Sequence, residues 1–244
     1  MQAAAITPRV WHMEEDYRDY CTLVVGETQA ILWDTGQEKG DLPAFVRAHT
    51  DLPCLVLNSH GHSDHIGGNH RFPVVYAHPA DWYLLEAQAF LTSQREPAYA
   101  IEPLEPGLVF DLGGLHGRVV SLAGHTRGSM GLLLEEERLL LAGDGLNPTL
   151  LMLGQETDTL ARLGQTLEES LTLPFDRYLS SHSPRPYLRR MVEVHRRHWL
   201  RFMEEPPQEE GPYGPKVCRS LYKEGSARSV FLVDRRLLSG NEPT

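Results

Sequence analysis

The sequence predicts an α/β fold of two mixed β-sheets with helices on their outer faces. Three observations lead there. Short apolar, β-branched runs alternate with stretches of helical spacing along the 244 residues. Several of the strand-like runs follow one another through Gly-rich turns, which suits antiparallel neighbours, because parallel ones need long crossovers. Apolar residues make up 41% of the chain, enough for the core of one large domain.

Taken in order, residues 20–25 and 30–33 read as a hairpin around Gly26-Glu27, stopping at Asp34-Thr35-Gly36. Asp41 caps a predicted helix to His49, with Leu42, Phe45 and Val46 on one face. Residues 54–57 form a short buried strand that empties into a loop over 58–68. A strand over 74–76 and a helix over 79–92 follow, and residues 93–106, with three Glu-Pro pairs, read as a loop or lid. Four strands are predicted over 108–112, 117–122, 130–134 and 138–142, then a mostly apolar loop over 145–155 and a helix over 157–173. A strand over 178–180, a basic helix over 187–204, a loop over 205–215 and strands over 216–222 and 229–233 close the chain. No internal repeat, dinucleotide fingerprint or P-loop is present.

Net charge is -10, from 23 basic and 33 acidic residues, which disfavours nucleic acid and anionic membranes as partners and leaves a small-molecule substrate. Three scattered cysteines argue against a disulfide framework. With no basic, apolar leader and no apolar run of membrane-spanning length, a cytoplasmic location is expected.

Histidine is the outlier. Of twelve, three fall between His60 and His65. His60-Gly61-His62-Ser63-Asp64-His65 places four imidazole or carboxylate donors within six residues, the donor types a borderline divalent metal takes. Other donors stand where predicted strands end: His125, Asp144 and His182 each follow an apolar run. The remaining histidines, His70, His78 and His116 among them, are expected to be structural or solvent-facing.

With these residues in place, the sequence resembles the metallo-β-lactamase superfamily. The signature His-x-His-x-Asp-His stands at 60–65, and Asp34-Thr35-Gly36, Gly124-His125-Thr126, Gly143-Asp144 and Ser181-His182 follow the family's other motifs in order. The resemblance implies a four-layer αβ/βα sandwich as one domain over 1–244, with 184–244 completing it as a helix and hairpin. It implies two Zn2+ ions, with Fe or Mn as alternatives: His60, His62 and His125 on the first, Asp64, His65 and His182 on the second, Asp144 bridging. A glutamate in place of His62 would resemble the iron-based relatives, and a cysteine in place of Asp144 certain lactamase subclasses; neither occurs. Asp34 would support the metal loop.

The function so implied is a dinuclear, zinc-dependent hydrolase using a metal-bridging hydroxide on an ester, lactone or thioester, with Asp64 orienting the water and shuttling its proton. The competing readings are an iron-dependent redox enzyme, a phosphodiesterase and a non-catalytic metal-binding sensor. Selectivity is expected from loops: residues 79–106 with Trp82, Tyr83, Phe90 and Tyr99, and residues 146–153 with Leu150, Leu151 and Met152, the latter walling the pocket, packing on the core or contacting a second copy in a homodimer. Tyr83, Tyr99 and Tyr187 are candidate oxyanion donors. The arginines of the 187–204 helix read as a solvated face, with an anionic substrate as the alternative.

Overall fold

The computed structural model describes residues 2–16, 18–91, 96–205, 210–211 and 214–238. A seven-stranded sheet runs in sequence order: β1 (Gln2–Thr7), β2 (Val10–Asp16), β3 (Asp19–Val25), β4 (Ala30–Trp33), β5 (Cys54–Leu57), β6 (Val74–Ala77) and β7 (Ala100–Pro103). The first four are antiparallel, and from β4 onward the pairing is parallel. Helices α1 (Leu42–His49), α2 (Ser63–Ile66) and α3 (Trp82–Leu91) lie between the parallel strands. Asp41 caps α1 by accepting from the Ala44 N–H at 3.1 Å, as its sequence requires.

The second sheet contains β8 (Val109–Asp111), β9 (His116–Ser121), β10 (Met130–Leu134) and β11 (Leu139–Leu141). The chain then leaves it for β12 (Thr149–Met152) and α4 (Leu160–Ser170), and returns as β13 (Arg177–Leu179) and β14 (Tyr187–Leu188) in the order β14-β13-β11-β10-β9-β8. Helix α5 (Arg190–Glu204) leads to β15 (Glu210–Gly211), β16 (Gly214–Glu224), β17 (Ala227–Asp234) and α6 (Arg235–Leu238). A third, smaller sheet has the order β12-β17-β16-β15.

Period-two alternation builds the layers. In β4, Ile31 and Trp33 face the second sheet, while Ala30 and Leu32 pack with Phe45, Val46 and Leu85 of α1 and α3. In β10 and β11, Leu132, Leu134, Leu139 and Leu141 face the first sheet; Leu133 and Leu140 face Leu163 and Leu167 of α4 and Trp199 and Phe202 of α5. Helices, sheet, sheet, helices: the architecture is the four-layer αβ/βα sandwich.

Four expectations change. β1 and β2 were not legible, because β2 buries His12 and Glu15 among its apolar residues and blurs the alternation. Glu15 earns that burial by accepting from the backbone N–H groups of Gln37, Lys39 and Gly40. Residues 100–103 of the expected lid form β7; residues 92–95 lie outside the described part. The apolar loop over 145–155 contains β12, which pairs parallel with β17 and so closes the third sheet. The basic helix begins at Arg190, because Tyr187 and Leu188 extend the second sheet instead. Of the expected loop over 205–215, residues 206–209 and 212–213 lie outside the described part. Among the described residues no helix is long and apolar enough to cross a membrane.

Candidate metal centre

The candidate donors sit where strands of both sheets end: His60 after β5, His125 after β9, Asp144 after β11 and His182 after β13. α2 begins at Ser63, so Asp64 and His65 project from one helical turn while His60 and His62 stay in the preceding loop. The glycines here allow close approach. A Cβ on Gly61 would lie 2.7 Å from the Leu84 Cβ, and one on Gly67 or Gly68 2.7 Å from the Gly36 or Thr35 carbonyl oxygen. Gly67 has ordinary helical φ and ψ, so the Gly67-Gly68 doublet serves close approach: it lets α2 lie on the Asp34-Thr35-Gly36 turn.

All seven predicted donors come together. His60, His62 and His125 form one group, Asp64, His65 and His182 another, and His60, His65 and Asp144 a third, each with donor atoms within 4.8 Å of one another. His62 Nδ1 faces His60 Nε2 at 3.0 Å and His125 Nε2 at 2.9 Å. Asp144 Oδ2 lies 3.1 Å from His182 Nε2 and 3.7 Å from His125 Nε2, and Asp144 Oδ1 4.0 Å from His65 Nε2, so this carboxylate spans the groups. His70, His78 and His116 lie elsewhere: His70 meets Glu38, His78 accepts from the Ala80 N–H and His116 meets Glu136.

Each donor histidine is held from behind by an oxygen. His60 Nδ1 meets Ser59 Oγ at 3.0 Å and His62 Nε2 meets Glu156 at 3.2 Å. His65 Nδ1 donates to Asp34 at 2.9 Å, His125 Nδ1 to the Leu151 carbonyl at 2.6 Å and His182 Nδ1 to the Arg18 carbonyl at 3.1 Å, with Asp19 also at 3.1 Å. A carbonyl or carboxylate can only accept, so it places the proton on the outer nitrogen and leaves the inner lone pair for a metal. Asp34 also accepts from the Ser59 N–H and Oγ–H and from Ser181 Oγ–H, joining the loops that carry His60 and His182.

Sequence reasoning missed Glu156, Asp19 and Asp81. Asp81, 1% exposed, accepts from the Gly61 N–H at 2.9 Å, Thr126 Oγ–H at 2.7 Å and the Gly128 N–H at 3.0 Å. It thereby ties the His60–His62 loop to the His125 loop. The one available signal was an acidic residue two positions after Pro79, which reads equally as helix-start chemistry.

Burial, with neighbouring imidazoles adding to it, lowers His60 well below the ordinary histidine value; burial also takes His125 down to about 4, so both are neutral. Burial opposes charge on His65 and His182 too, but Asp64 and Asp34 beside the first and Asp144 beside the second outweigh it, raising His65 well up and His182 to about 9. The paired carboxylates thus hold positive charge at this spot, here as protons. Metal binding to such a group displaces them. His65 Nε2 and Asp144 Oδ1 are buried without a hydrogen-bond partner among the described residues. Orphaned donor atoms facing one space, with nitrogen and oxygen ligands only, fit a pair of divalent ions.

A cavity of about 1160 Å³ opens above, lined at its floor by His62, Asp64, His125, Asp144 and His182. Its wall bears on two expectations, dividing the first and correcting the second. β12 contributes Leu151, with Leu153 just beyond it, whereas Leu150 and Met152 point the other way into the core. Trp82, Tyr83, Phe90 and Tyr99 do not line the cavity; of the three tyrosines weighed as oxyanion donors, Tyr187 does. Along α5, Arg196 and Arg197 pair with Glu168 and Glu224 on the outside, and Arg190 lines the cavity.

This fold and its donor cluster define a class of protein: αβ/βα sandwiches with a cluster of metal-ligating side chains at the ends of their strands. Residues 17–182 match the metallo-beta-lactamase superfamily, and the chain belongs to that family. It is 31% identical to the lactamase-like protein ptaB of Pestalotiopsis fici over 130 residues, 51% of this chain and 39% of that protein. It is 30% identical to the acyl-coenzyme A thioesterase MBLAC2 of Bos taurus over 156 residues, 50% of this chain and 56% of that one. The chain therefore spans about half the length of such curated relatives. Among solved structures, the metallo-beta-lactamase family protein TTHA1429 from Thermus thermophilus superposes with a TM-score of 0.64 at 22% identity, covering 82% of each chain.

Proposed function

We propose that this chain is a hydrolase of acyl thioesters that works with two zinc ions. One observation carries the reading: five histidines are oriented from behind by oxygens, with their inner nitrogens turned toward a space that also receives Asp64 and Asp144. His60, His62 and His125 would hold one ion, Asp64, His65 and His182 the other, and Asp144 would reach both. Iron and manganese accept the same donors, and zinc suits the histidine-rich set best. Bound there, the ions would supply Lewis acidity and a water acidic enough to react near neutral pH.

The chain's own residues do the rest. Of the two carboxylates that would hold the ions, Asp64 is the more open to the cavity, 29% exposed against 10% for Asp144. In the reaction the water oxygen bonds the acyl carbon, the carbon–sulfur bond breaks, and Asp64 takes the water's proton and passes it to the departing sulfur. Leu151 and Leu153 offer the acyl chain an apolar wall. The choice of thioester over lactone or simple ester leans on the resemblance to a protein named as an acyl-coenzyme A thioesterase.

Elemental analysis of purified protein, joined to a panel of acyl thioester, lactone, β-lactam and phosphodiester substrates, tests this. Two equivalents of zinc and preferential thioester cleavage are expected. Iron with redox activity, or preference for the phosphodiester, would overturn it.

A further inference from the structure

The cavity is larger than an acyl group needs, and its two halves differ in origin and in chemistry. The floor comes from the segment shared with the family. Much of the opposite half comes from residues beyond the matched segment 17–182: Tyr187, Arg190, Met191 and Val194 around the start of α5, and residues 224–228 at the β16–β17 turn. The floor is acidic on balance, with Asp19, Asp64, Asp144 and Glu156 against one cation, Arg18. The far half is apolar at Met191 and Val194 and carries two cations, Arg190 and Arg228.

Those two arginines stand apart from their neighbours. On the same helix, Arg196 and Arg197 are paired with Glu168 and Glu224, and Arg201 lies over the Tyr222 ring at 5.3 Å. Among the described residues no carboxylate lies within ion-pair reach of Arg190 or Arg228. Glu224 also lines the cavity, but its carboxylate is taken by Arg197 at 2.6 Å and 3.2 Å. α5 starts at Arg190 without a side-chain cap, so the positive end of its dipole adds to the same region. In a chain of net charge -10, Arg190 and Arg228, like Arg18 beside the floor, line the substrate cavity without an ion pair among the described residues, and on the wall opposite the floor carboxylates they are placed for an anion that arrives with the substrate.

We infer that Arg190 and Arg228 form an anion-binding subsite that takes phosphate on the thiol half of the substrate. The preferred substrate is then a thioester whose thiol carries phosphate, with its carbonyl over the floor and its phosphate at the α5 end. The assignment of the phosphate to the thiol half rests on the thioesterase reading above; the anion subsite does not.

Zinc-loaded wild type, Arg190→Ala, Arg228→Ala and the double variant are assayed on three substrates of one acyl length: octanoyl-pantetheine, without phosphate, octanoyl-4′-phosphopantetheine and octanoyl-coenzyme A. Binding of free coenzyme A is measured by calorimetry on the same proteins. Wild type should prefer a phosphorylated substrate in kcat/KM by about tenfold or more, and each substitution should remove about tenfold of that preference while leaving octanoyl-pantetheine unchanged. Calorimetric affinity should fall in parallel. Preference for octanoyl-4′-phosphopantetheine already equal to that for the coenzyme A ester supports the subsite and assigns the pantetheine phosphate to it; preference for the coenzyme A ester alone supports it and assigns the nucleotide phosphates. Equal wild-type rates on all three substrates, or equal losses on all three in the variants, overturn the inference and leave the hydrolase reading intact. No thioester turnover at all overturns the hydrolase reading; coenzyme A binding that still depends on both arginines would then uphold the subsite, and binding indifferent to them would overturn it.

Discussion

Asp81→Ala is expected to loosen the metal loops without removing a single metal donor. The buried Asp81 carboxylate accepts from the Gly61 N–H, Thr126 Oγ–H and Gly128 N–H. Hydrogen bonds to a charged group contribute about 1.5–3 kcal/mol each, and an abandoned buried donor costs about 1–3 kcal/mol. Two offsets reduce the sum. Thr126 Oγ lies 2.9 Å from Ser129 Oγ and can turn to it. Burial also opposes the charge on Asp81, pushing its carboxyl up, and that strain ends with the substitution. A net loss of about 3 kcal/mol in the metal-free protein follows, read by urea unfolding. Because Gly61 lies between His60 and His62 and Thr126 follows His125, metal affinity should fall by about 10- to 100-fold, read by competition with a chromophoric chelator. Stability within about 0.5 kcal/mol of wild type, together with unchanged chelator competition, would refute the reasoning, since a surface substitution does no more than that.

Asp144→Ala should lose at least one equivalent of metal by elemental analysis, whereas His70→Ala, His78→Ala and His116→Ala should keep full content; a fully loaded Asp144→Ala protein would end the bridging role. Leu150→Asp buries a charge in the core between β17 and α4 and should destabilise by several kcal/mol on thermal unfolding, whereas Leu151→Asp, on the cavity wall, should fold and selectively lose long-chain acyl substrates. Equal stability of the two variants would contradict the alternation along β12. Burial lowers His195 from 6.5 to about 3, so above pH 6.5 it stands neutral in both folded and unfolded chains, and as pH falls the unfolded chain takes up a proton that the folded one refuses. Stability is therefore present above pH 6.5 and lost below it, by about 2 kcal/mol at pH 5 for this one group, until the loss levels off near the folded value. His195→Asn should shrink the fall in urea-unfolding stability between pH 8 and pH 5 by that amount; an identical fall in both proteins would refute it.

How much could be read without coordinates depended on distance along the chain. The donors of the His60–His65 run are contiguous, and His125, Asp144 and His182 each follow a recognisable apolar strand, so residue type and strand ends sufficed to name them. The Leu-rich runs of β10 and β11, buried on both faces, likewise announced a sheet covered on both sides. The partners behind the donors gave no such signal. Glu156 meets His62 across 94 residues and Asp81 meets Thr126 across 45, each a single polar residue with no periodicity to mark it. The same holds for β12. Its run Leu150-Leu151-Met152-Leu153 is uniformly apolar, and only pairing with β17, itself positioned by α5, sends Leu150 and Met152 into the core and leaves Leu151 at the cavity. Residue type and local spacing marked the candidate donors at the floor of the site, and the resemblance to the metallo-β-lactamase superfamily grouped them into a metal centre, because those donors are set by residue type and the strand they follow. Tertiary structure alone decided the tautomers of the histidines and the wall facing the substrate, because both depend on which distant backbone the closed fold brings within about 3 Å, the reach of a hydrogen bond.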